Sequence, residues 1–245
     1  MKGEVRMFGL MYQQMQISYA EKINIKFTEE QLEEFYQYMN MLLEWNEKIN
    51  LTAITDEEEI IKKHFIDSLT ISKLIKEDTS VVDVGTGAGF PGMPLAITKK
   101  VNVTLVDSLN KRINFLNIVK DSIKIENVNT VHSRAEEVGQ NEKYREKFEY
   151  AVSRAVAPIN VLLEYMLPLV KVGGYCLCMK GPKVIDEMKG IENVAEELGG
   201  KYIKLEELEI PGEESRKNVI IVEKVENTNK KYPRKPGMPA KQPLL

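Results

Sequence analysis

The feature that most constrains the fold is a glycine-rich turn at residues 85–92, which directly follows a short apolar run at residues 81–84. A β-branched run of this kind is typical of a buried parallel strand, and the apolar pattern at residues 93–97 predicts a helix after the turn. Glycines tolerate positive φ angles and let a ligand approach the backbone with no Cβ in the way. The stretch therefore predicts a strand, a tight turn and a helix that bind a nucleotide-like group, and the alternative is an ordinary turn of an α/β protein.

The spacing of the glycines distinguishes between classes of nucleotide-binding turn. A P-loop ends in Gly-Lys-Ser/Thr, whereas this turn ends in Phe-Pro-Gly and has no lysine. A dinucleotide fingerprint needs a third glycine where the chain has Phe90, which weakens that interpretation without excluding it. The pattern that remains, Asp83-x-Gly-x-Gly-x-Gly, is the one that S-adenosylmethionine enzymes with this kind of sheet use. Its carboxylate suits the ammonium group of that cofactor, so we expect S-adenosylmethionine here.

Length and charge limit the class of protein. A chain of 245 residues fits one α/β domain with an appendage, and it contains no apolar run long enough to span a bilayer and no secretory signal. We therefore expect a cytoplasmic protein with no membrane contact and, as a starting assumption, a monomer. The net charge of −3 argues against a surface that binds nucleic acid throughout, so an RNA substrate would need local basic patches.

The two cysteines, Cys176 and Cys178, lie two residues apart in a predicted strand. A disulfide between such neighbours is strained, and a zinc site would lack its second pair of ligands. We therefore predict two buried core thiols and no metal site.

The chain divides into three predicted regions. They are a helical region at residues 1–78, a catalytic domain at residues 79–226 and a basic, proline-rich tail at residues 227–245. In the first region a capping box at residues 28–31 predicts the start of a helix. Acidic residues 56–59 then precede a second helical pattern at residues 60–74.

Strands and helices alternate from residue 81 onward, which indicates a sheet of mainly parallel strands. The predicted strands are at residues 81–84, 101–106, 128–132, 150–155, 175–180, 202–210 and 219–223. We expect Gly173 and Gly174 to close the helix before the fifth strand, and a single helix at residues 184–198. The link at residues 211–214 is too short for a crossover helix, so the last two strands must run antiparallel. This is the Rossmann-like α/β sheet of class I S-adenosylmethionine-dependent methyltransferases, with a small helical element in front of it.

The site is expected at the carboxyl ends of the first four strands, because a doubly wound sheet binds its ligand there. The first strand is followed by Gly85, Gly87 and Phe90. Asp107 ends the second strand about twenty residues beyond the glycines, where a carboxylate accepts hydrogen bonds from ribose hydroxyls.

Further candidates follow the third and fourth strands. Glu136 and the backbone beside it would meet the adenine amino edge, although an acid at a helix N-terminus is a sufficient explanation. Arg154 would lie where the methyl acceptor enters, and a surface ion pair is the alternative. His64 and Asp67 share a helix face, which indicates either a local pair that holds the helical element against the sheet or contact with cofactor or RNA. His132 lies inside a strand, and we expect it to be structural.

The tail from residue 227 carries five cations, four prolines and no acid. Prolines at this density predict an extended cationic strip without helix or ladder. It is either a disordered solubilising tail or an arm that contacts RNA phosphates, with the candidates Lys230, Lys231, Arg234 and Lys235.

The absence of certain motifs limits the classes of methyl acceptor that this chain can use. Enzymes that methylate exocyclic base amines use an Asn/Asp-Pro-Pro-aromatic run after the fourth strand, and this chain has Ser-Arg-Ala-Val at residues 153–156. Methylation at carbon 5 of cytosine needs a cysteine near the same place, and both cysteines are in the fifth strand. A ring nitrogen such as guanine N7 attacks the sulfonium methyl directly. Positioning and charge stabilisation then suffice, so no catalytic acid or base is predicted.

Other functions stay open on these residues alone. A methyltransferase of a protein or a small molecule would leave the basic tail unexplained, and another RNA is equally compatible with it. A nicotinamide-dependent reductase would need a Tyr-x-x-x-Lys pair, which the sequence lacks, and a different glycine spacing. A non-catalytic module that senses the cofactor is the remaining alternative.

Several linked motifs carry a resemblance to a known family. They are at residues 35–46, 49–52, 64–69, 82–92, 106–108, 111–112, 153–157 and 231–237. Together they resemble the bacterial 16S ribosomal RNA guanine-N7 methyltransferases, also called the glucose-inhibited division protein B family, over nearly the whole chain from about residue 30.

The resemblance implies transfer of a methyl group from S-adenosylmethionine to N7 of a guanine in the 530 loop of 16S ribosomal RNA. It also implies that this RNA or the small ribosomal subunit is the partner. The implied cofactor contacts are Gly85, Phe90, Ala135, Glu136 and Arg154. The family supplies no agreed general base, so none is assigned.

Overall fold

The computed structural model describes residue 9 and residues 11–182, 184–210 and 217–245. The strands of its sheet are β1 Thr79–Val84, β2 Val101–Asp107, β3 Val128–His132, β4 Phe148–Arg154, β5 Val170–Lys180, β6 Gly200–Leu208 and β7 Lys217–Lys224. They form one seven-stranded sheet in the order β3-β2-β1-β4-β5-β7-β6. The first five strands pair in parallel, and β7 runs antiparallel to both β5 and β6. This confirms the predicted sheet, including its antiparallel last strand.

Helices cover both faces of the sheet. They are α1 Glu29–Ile49, α2 Gly92–Thr98, α3 Asn110–Ser122, α4 Ala135–Gln140, α5 Ile159–Met166, α6 Val184–Glu187, α7 Ile191–Glu197 and α8 Met238–Lys241. A π-helix, Tyr12–Tyr19, precedes α1. Between α1 and the sheet, the consecutive turns Glu57–Ile60, Ile61–Ile66 and Asp67–Leu69 form one continuous helical segment, called here the 57–69 segment.

The two faces of the sheet follow from the alternation of side chains along each strand. Val81 of β1 belongs to one apolar cluster with α1, α2 and the 57–69 segment, whereas its neighbour Val82 belongs to a second cluster with α5 and α7. Successive side chains of a strand point to opposite faces, so these clusters fill the two sides of the sheet.

The helical element in front of the sheet begins as the capping box predicts. The hydroxyl of Thr28 accepts from the Gln31 N–H at 3.2 Å, and the Gln31 side chain accepts from the Thr28 N–H at 3.0 Å. The side chain of Asp56 caps the 57–69 segment by accepting from the Glu59 N–H at 3.0 Å. Both helix starts are therefore where the sequence places them.

Two local predictions are wrong. β5 begins at Val170, so Gly173 and Gly174 lie inside the strand and do not close a helix. A Cβ at Gly174 would lie 2.4 Å from the carbonyl oxygen of Glu149 in β4, so the close approach of the two strands requires glycine there. The predicted helix at residues 184–198 is divided into α6 and α7, because Gly190 adopts a φ of +80° between them. The link at residues 211–214 lies outside the described residues.

The tail is not the extended strip that its prolines suggest. Its residues Tyr232 and Pro239 are buried against the domain, and α8 forms a short helical turn. The side chain of Arg234 pairs with Glu164 of α5 at 2.6 Å. A proline-rich segment needs no ladder to be ordered when side chains from the domain bind its carbonyl groups.

The cysteines are free and buried in β5, as predicted. Burial raises the pKa of Cys178 to about 12 and that of Cys176 well above its ordinary value, so both are inert thiols. Among the described residues, no helix is long and apolar enough to cross a membrane. The same residues contain no cluster of three metal-binding side chains.

Candidate active site

A cavity of about 560 Å³ opens at the carboxyl ends of β1 to β4. The seven predicted cofactor residues all line it: Gly85, Gly87, Phe90, Asp107, Ala135, Glu136 and Arg154. The parallel order β3-β2-β1-β4 brings these ends to one edge of the sheet, although the residues are spread from position 85 to position 154 of the sequence. The four basic tail residues predicted to bind RNA are not part of its lining.

The glycine turn forms the floor of the cavity. The N–H groups of Gly85 and Thr86 donate to the Val106 carbonyl at 2.9 and 3.0 Å, which ties the turn to the neighbouring strand. Gly87 adopts a φ of +62°, and a Cβ built there would have no heavy atom within 4 Å. The turn is therefore open toward the cavity at this position, as a close backbone approach to a ligand requires.

Asp83 has a different role from the one predicted. It is fully buried beneath the turn, where its Oδ2 accepts from the Thr86 hydroxyl at 2.7 Å and from the Gly92 N–H at 2.8 Å. Burial raises the pKa of its carboxyl to about 6, and the two hydrogen bonds oppose that rise. Asp83 therefore holds the turn in shape, and the expectation that it meets the cofactor's ammonium group is wrong.

Asp107 lies at the edge of the cavity with its carboxylate fixed by three donors. Its Oδ2 accepts from the Gly87 N–H at 2.9 Å and from Arg112 at 3.2 Å, and its Oδ1 accepts from the Leu109 N–H at 2.9 Å. Each carboxylate oxygen can accept more than one hydrogen bond, so Asp107 can still accept hydrogen bonds from ribose hydroxyls. The geometry is compatible with the predicted ribose contact.

Glu136 lies in the first turn of α4 and is 5% exposed. Its Oε1 accepts from the N–H of Gly237 in the tail at 2.8 Å. Gly237 and Ala240 also line the cavity, together with Ala135. No sequence pattern indicates that the tail reaches this site, because the contact joins residues 101 positions apart.

Arg154 is the centre of a polar cluster that the 57–69 segment supplies. Its guanidinium donates to Asp67 Oδ2 at 2.7 Å, to the Lys63 carbonyl at 3.0 Å and to His64 Nδ1 at 3.2 Å. It also lies 5.1 Å from the ring centroid of Phe90, within the range of a cation–π contact. These bonds use three of the five N–H groups of arginine, so donors remain for a ligand in the cavity.

The alternative for Arg154, a plain surface ion pair, is wrong. Its side chain is 18% exposed and that of Asp67 is 4% exposed. The proposed local pair between His64 and Asp67 is wrong as well, because each of them binds Arg154. Asp67 Oδ1 is buried without a hydrogen-bond partner, which makes the carboxylate depend strongly on the arginine.

His64 is fixed on both sides of its ring. It stacks on Phe90 with ring centroids 4.6 Å apart, and its Nε2 lies 2.8 Å from the Thr52 hydroxyl. Burial, reinforced by the charge of Arg154, lowers the pKa of His64 to about 3, so the ring is neutral at neutral pH. A neutral ring lets Nδ1 accept from Arg154 while Nε2–H donates to Thr52.

Replacing His64 with Gln is expected to remove a pH dependence of stability. The pKa of His64 is 6.5 ordinarily and about 3 in the fold, so between these values the unfolded chain binds a proton that the folded chain does not. The stability from His64 is complete above this window and falls as the pH drops, by up to about 1.4 kcal/mol per pH unit. In urea denaturation, the difference between wild type and His64→Gln should therefore increase with pH.

Asp83→Asn provides the matched control, because the stability from Asp83 is expected to change with pH in the opposite direction. The pKa of Asp83 rises from 3.8 to about 6, so the folded chain keeps a proton that the unfolded chain loses. The stability difference between wild type and Asp83→Asn should therefore decrease as the pH rises through this window. If the two stability differences changed with pH in the same direction, the assignment of at least one group would be contradicted.

His132 and the basic tail residues lie outside the cavity. His132 Nε2 lies 3.1 Å from the Ser108 carbonyl, which is consistent with the structural role expected of it. Lys231 pairs with Glu197 at 2.8 Å and Arg234 with Glu164 at 2.6 Å, so these two side chains hold the tail in place. Lys230 and Lys235 are exposed.

The cavity fits S-adenosylmethionine by size and by chemistry. Pockets for ligands of this size have volumes of roughly 300–1,000 Å³, and about 560 Å³ falls within that range. The carboxylates of Asp107 and Glu136 suit hydroxyl and amino donors, and the bare turn at Gly87 admits a ligand against the backbone. The sheet, its antiparallel β7 and this cavity define a class I methyltransferase.

Solved structures agree with this fold class. The structure of M. jannaschii TYW2 in complex with AdoMet aligns with 65% of this chain and 75% of its own, with a TM-score of 0.52 at 18% identity. A SAM dependent methyltransferase from Aquifex aeolicus aligns with 68% of this chain and 93% of its own, with a TM-score of 0.51 at 17% identity. At these identities the likeness concerns the fold alone.

Sequence comparison gives the family. The family model described as rRNA small subunit methyltransferase G matches residues 31–217. The chain is 48% identical over 228 residues to the ribosomal RNA small subunit methyltransferase G of Alkaliphilus metalliredigens, and 50% identical over 228 residues to that of Clostridium beijerinckii. Each alignment covers 92% of this chain and 95% of the relative. The chain therefore belongs to the rRNA small subunit methyltransferase G family, which confirms the resemblance of its motifs.

Proposed function

We propose that the protein transfers the methyl group of S-adenosylmethionine to N7 of a guanine in the 530 loop of 16S ribosomal RNA. The observation that carries the proposal is one cavity that joins the glycine turn, two carboxylates and the Arg154 cluster, in a chain of this family. The substrate is the RNA or the small ribosomal subunit that contains it. We place the protein in the cytoplasm with this substrate.

The reaction at N7 needs no general acid or general base from the protein. The ring nitrogen has a lone pair and no proton, so the new N–C bond forms as the C–S bond breaks, and positive charge passes from sulfur to the base. S-adenosylmethionine supplies the methyl group on a positively charged sulfur. The protein has to hold donor and acceptor in line, which by itself lowers such barriers greatly.

The residues divide this task between them. Asp107 and Glu136 would accept hydrogen bonds from the ribose and the adenine, and the turn from Gly85 to Phe90 would support the methionine end. Arg154 donates to the ligand with the N–H groups that Asp67, Lys63 and His64 leave unused. Because Asp67 neutralises Arg154, the site presents these donors without adding a net positive charge beside the sulfonium.

The three regions of the chain work as one unit in this proposal. The cavity lining comes from the helical region at residues 1–78, the domain at residues 79–226 and the tail at residues 227–245. We propose a monomer as the active form. Of the predicted RNA contacts, Lys230 and Lys235 remain candidates because they are exposed, whereas Lys231 and Arg234 are engaged within the protein.

A transfer assay tests the proposal directly. Purified protein, methyl-labelled S-adenosylmethionine and either 16S ribosomal RNA or small subunits should give labelled RNA, and large-subunit RNA should remain unlabelled. Chain cleavage specific for N7-methylguanine should then map the label to one guanine of the 530 loop. Cofactor binding without any labelled 16S RNA in either substrate form would contradict the proposal, and label at another position would assign a different acceptor.

A further inference from the structure

The tail closes one side of the cofactor cavity. Gly237 and Ala240 line it, and both lie beyond residue 217, where the match to the family model ends. We infer that the segment at residues 232–240 is part of the S-adenosylmethionine site and sets the affinity for the cofactor. The inference rests on the proposed function and extends it to a region for which the sequence predicts either a disordered tail or an arm that contacts RNA.

The contact with Glu136 links the tail to the cofactor-binding residues. Glu136 is 5% exposed, and its Oε1 accepts from the Gly237 N–H at 2.8 Å. Gly237 adopts a φ of +82° at the N-cap of α8, a conformation that favours glycine. The tail therefore fixes the carboxylate that is proposed to meet the adenine amino group.

A buried ion pair anchors the segment to α5. Glu164 is fully buried, and its Oε1 accepts from both the backbone N–H and the Nε–H of Arg234, at 2.8 and 2.9 Å. Its Oε2 accepts from Nη2 of Arg234 at 2.6 Å. Charge-assisted bidentate pairs of this kind are among the stronger and geometrically more specific hydrogen-bonded contacts in proteins. Arg234 is therefore an anchor that sets the position of Gly237, three residues further on.

A second anchor comes from the charged segment before β4. The guanidinium of Arg145 donates to the carbonyls of Thr228 and Tyr232, each at 2.7 Å, and to that of Gly139 at 2.8 Å. Gly139 belongs to α4, the helix that carries Glu136, so Arg145 joins the tail to that helix. The buried Tyr232 adds a hydrogen bond from its hydroxyl to Glu197 at 2.9 Å. These contacts hold the tail in a fixed position, where it forms one wall of the cavity.

Substitution at Ala240 tests the inference with little risk to folding. Ala240 is exposed, lies in α8 and lines the cavity, so a leucine there keeps the helix and occupies space in the site. Lys241 is the next residue of α8, is also exposed and is not part of the lining, which makes Lys241→Leu the matched control. By calorimetry, Ala240→Leu should bind S-adenosylmethionine about tenfold more weakly, whereas Lys241→Leu should stay within about twofold of wild type.

A chain that ends at residue 236 provides a second, independent variant. It keeps the pair of Arg234 with Glu164 and the contacts of Arg145, but it removes the donor to Glu136 and the α8 wall. Its affinity should fall by at least the same factor, with thermal unfolding that stays cooperative. If this variant does not fold, the comparison of Ala240→Leu with Lys241→Leu decides.

The outcomes separate the inference from the function on which it rests. Wild-type affinity for both Ala240→Leu and the folded shortened chain would overturn the inference, while transfer by the full chain would still support the proposed function. A full chain that binds no S-adenosylmethionine would overturn the proposed function and the inference together. Equal losses in Ala240→Leu and Lys241→Leu would contradict a specific wall at Ala240.

Discussion

Replacing Arg154 with Met is expected to reduce methyl transfer by about 10²-fold and to cost about 3–5 kcal/mol of stability. The catalytic loss follows because the cavity loses its charged donor. The loss of stability follows because the Asp67 side chain, 4% exposed, keeps a charge with no cation beside it. His64 Nδ1 and the Lys63 carbonyl lose their donor at the same time. Urea denaturation and single-turnover transfer at saturating cofactor measure the two effects separately.

The double variant Asp67→Asn with Arg154→Met separates the role of Arg154 in folding from its role in the reaction. Removing both charges avoids the unpaired buried carboxylate, so most of the lost stability should return. Transfer should stay low, because the donor is still missing. Recovery of transfer together with stability would show that Arg154 only supports the fold.

The meeting of the seven predicted cofactor residues at one cavity could be predicted because each lies at or just after the end of a strand. Gly85, Gly87 and Phe90 follow a strand that its own β-branched run identifies, and Asp107 and Glu136 follow the next two strands. Parallel strands place their carboxyl ends at one edge of the sheet, so finding the strands is enough to bring the residues together. This part of the prediction therefore depends on the topology of the sheet, and not on any sequence pattern that links one of these residues to another.

The partners of Arg154 could not be predicted in the same way. Asp67 and His64 precede it by 87 and 90 residues, and their contact depends on how the 57–69 segment packs against the sheet. The spacing of His64 and Asp67 indicates a shared face but not what that face meets. The role of Asp83 could not be predicted for a related reason: the motif fixes its place in the sequence, whereas its burial depends on the helix that covers it.

The folded conformation of the tail could not be predicted from its proline content. Prolines exclude regular ladders, but they leave carbonyl groups free to accept from Arg145 and Gln140, and the sequence does not reveal these distant donors. Likewise, Gly173 and Gly174 resemble a helix terminus until the neighbouring strand is known. In each case the missing information is a contact between segments far apart in the chain.

Gly89→Ala is expected to lose stability and Gly87→Ala to lose affinity for the cofactor, although the two residues are only two positions apart in one turn. Gly89 has a φ of +108°, and a Cβ there would lie 2.5 Å from the Tyr38 hydroxyl oxygen and 2.8 Å from Cδ2 of Leu116. Tyr38 is fully buried and its hydroxyl donates to the Ala88 carbonyl, so it has no room to move. Gly89→Ala should therefore cost about 3 kcal/mol or more of stability.

Gly87→Ala should fold and yet lose the cofactor. Its φ of +62° lies in the left-handed region, which costs a residue with a Cβ about 1–2 kcal/mol, and the new methyl group meets no atom of the protein within 4 Å. The methyl group instead occupies the open floor of the cavity, where the ligand must approach the backbone. Affinity for S-adenosylmethionine should fall by at least about tenfold in calorimetry, while thermal unfolding stays cooperative.

The two variants together locate the cofactor. Gly89→Ala reports on the packing beneath the turn, and Gly87→Ala reports on the space above it. Binding by Gly87→Ala with wild-type affinity would mean that the cofactor does not lie over this turn, and the assignment of the site to residues 85–90 would fail. If Gly87→Ala were destabilised as strongly as Gly89→Ala, the backbone at Gly87 would not be open to the cavity. A methyl group that meets no protein atom within 4 Å has nothing to displace.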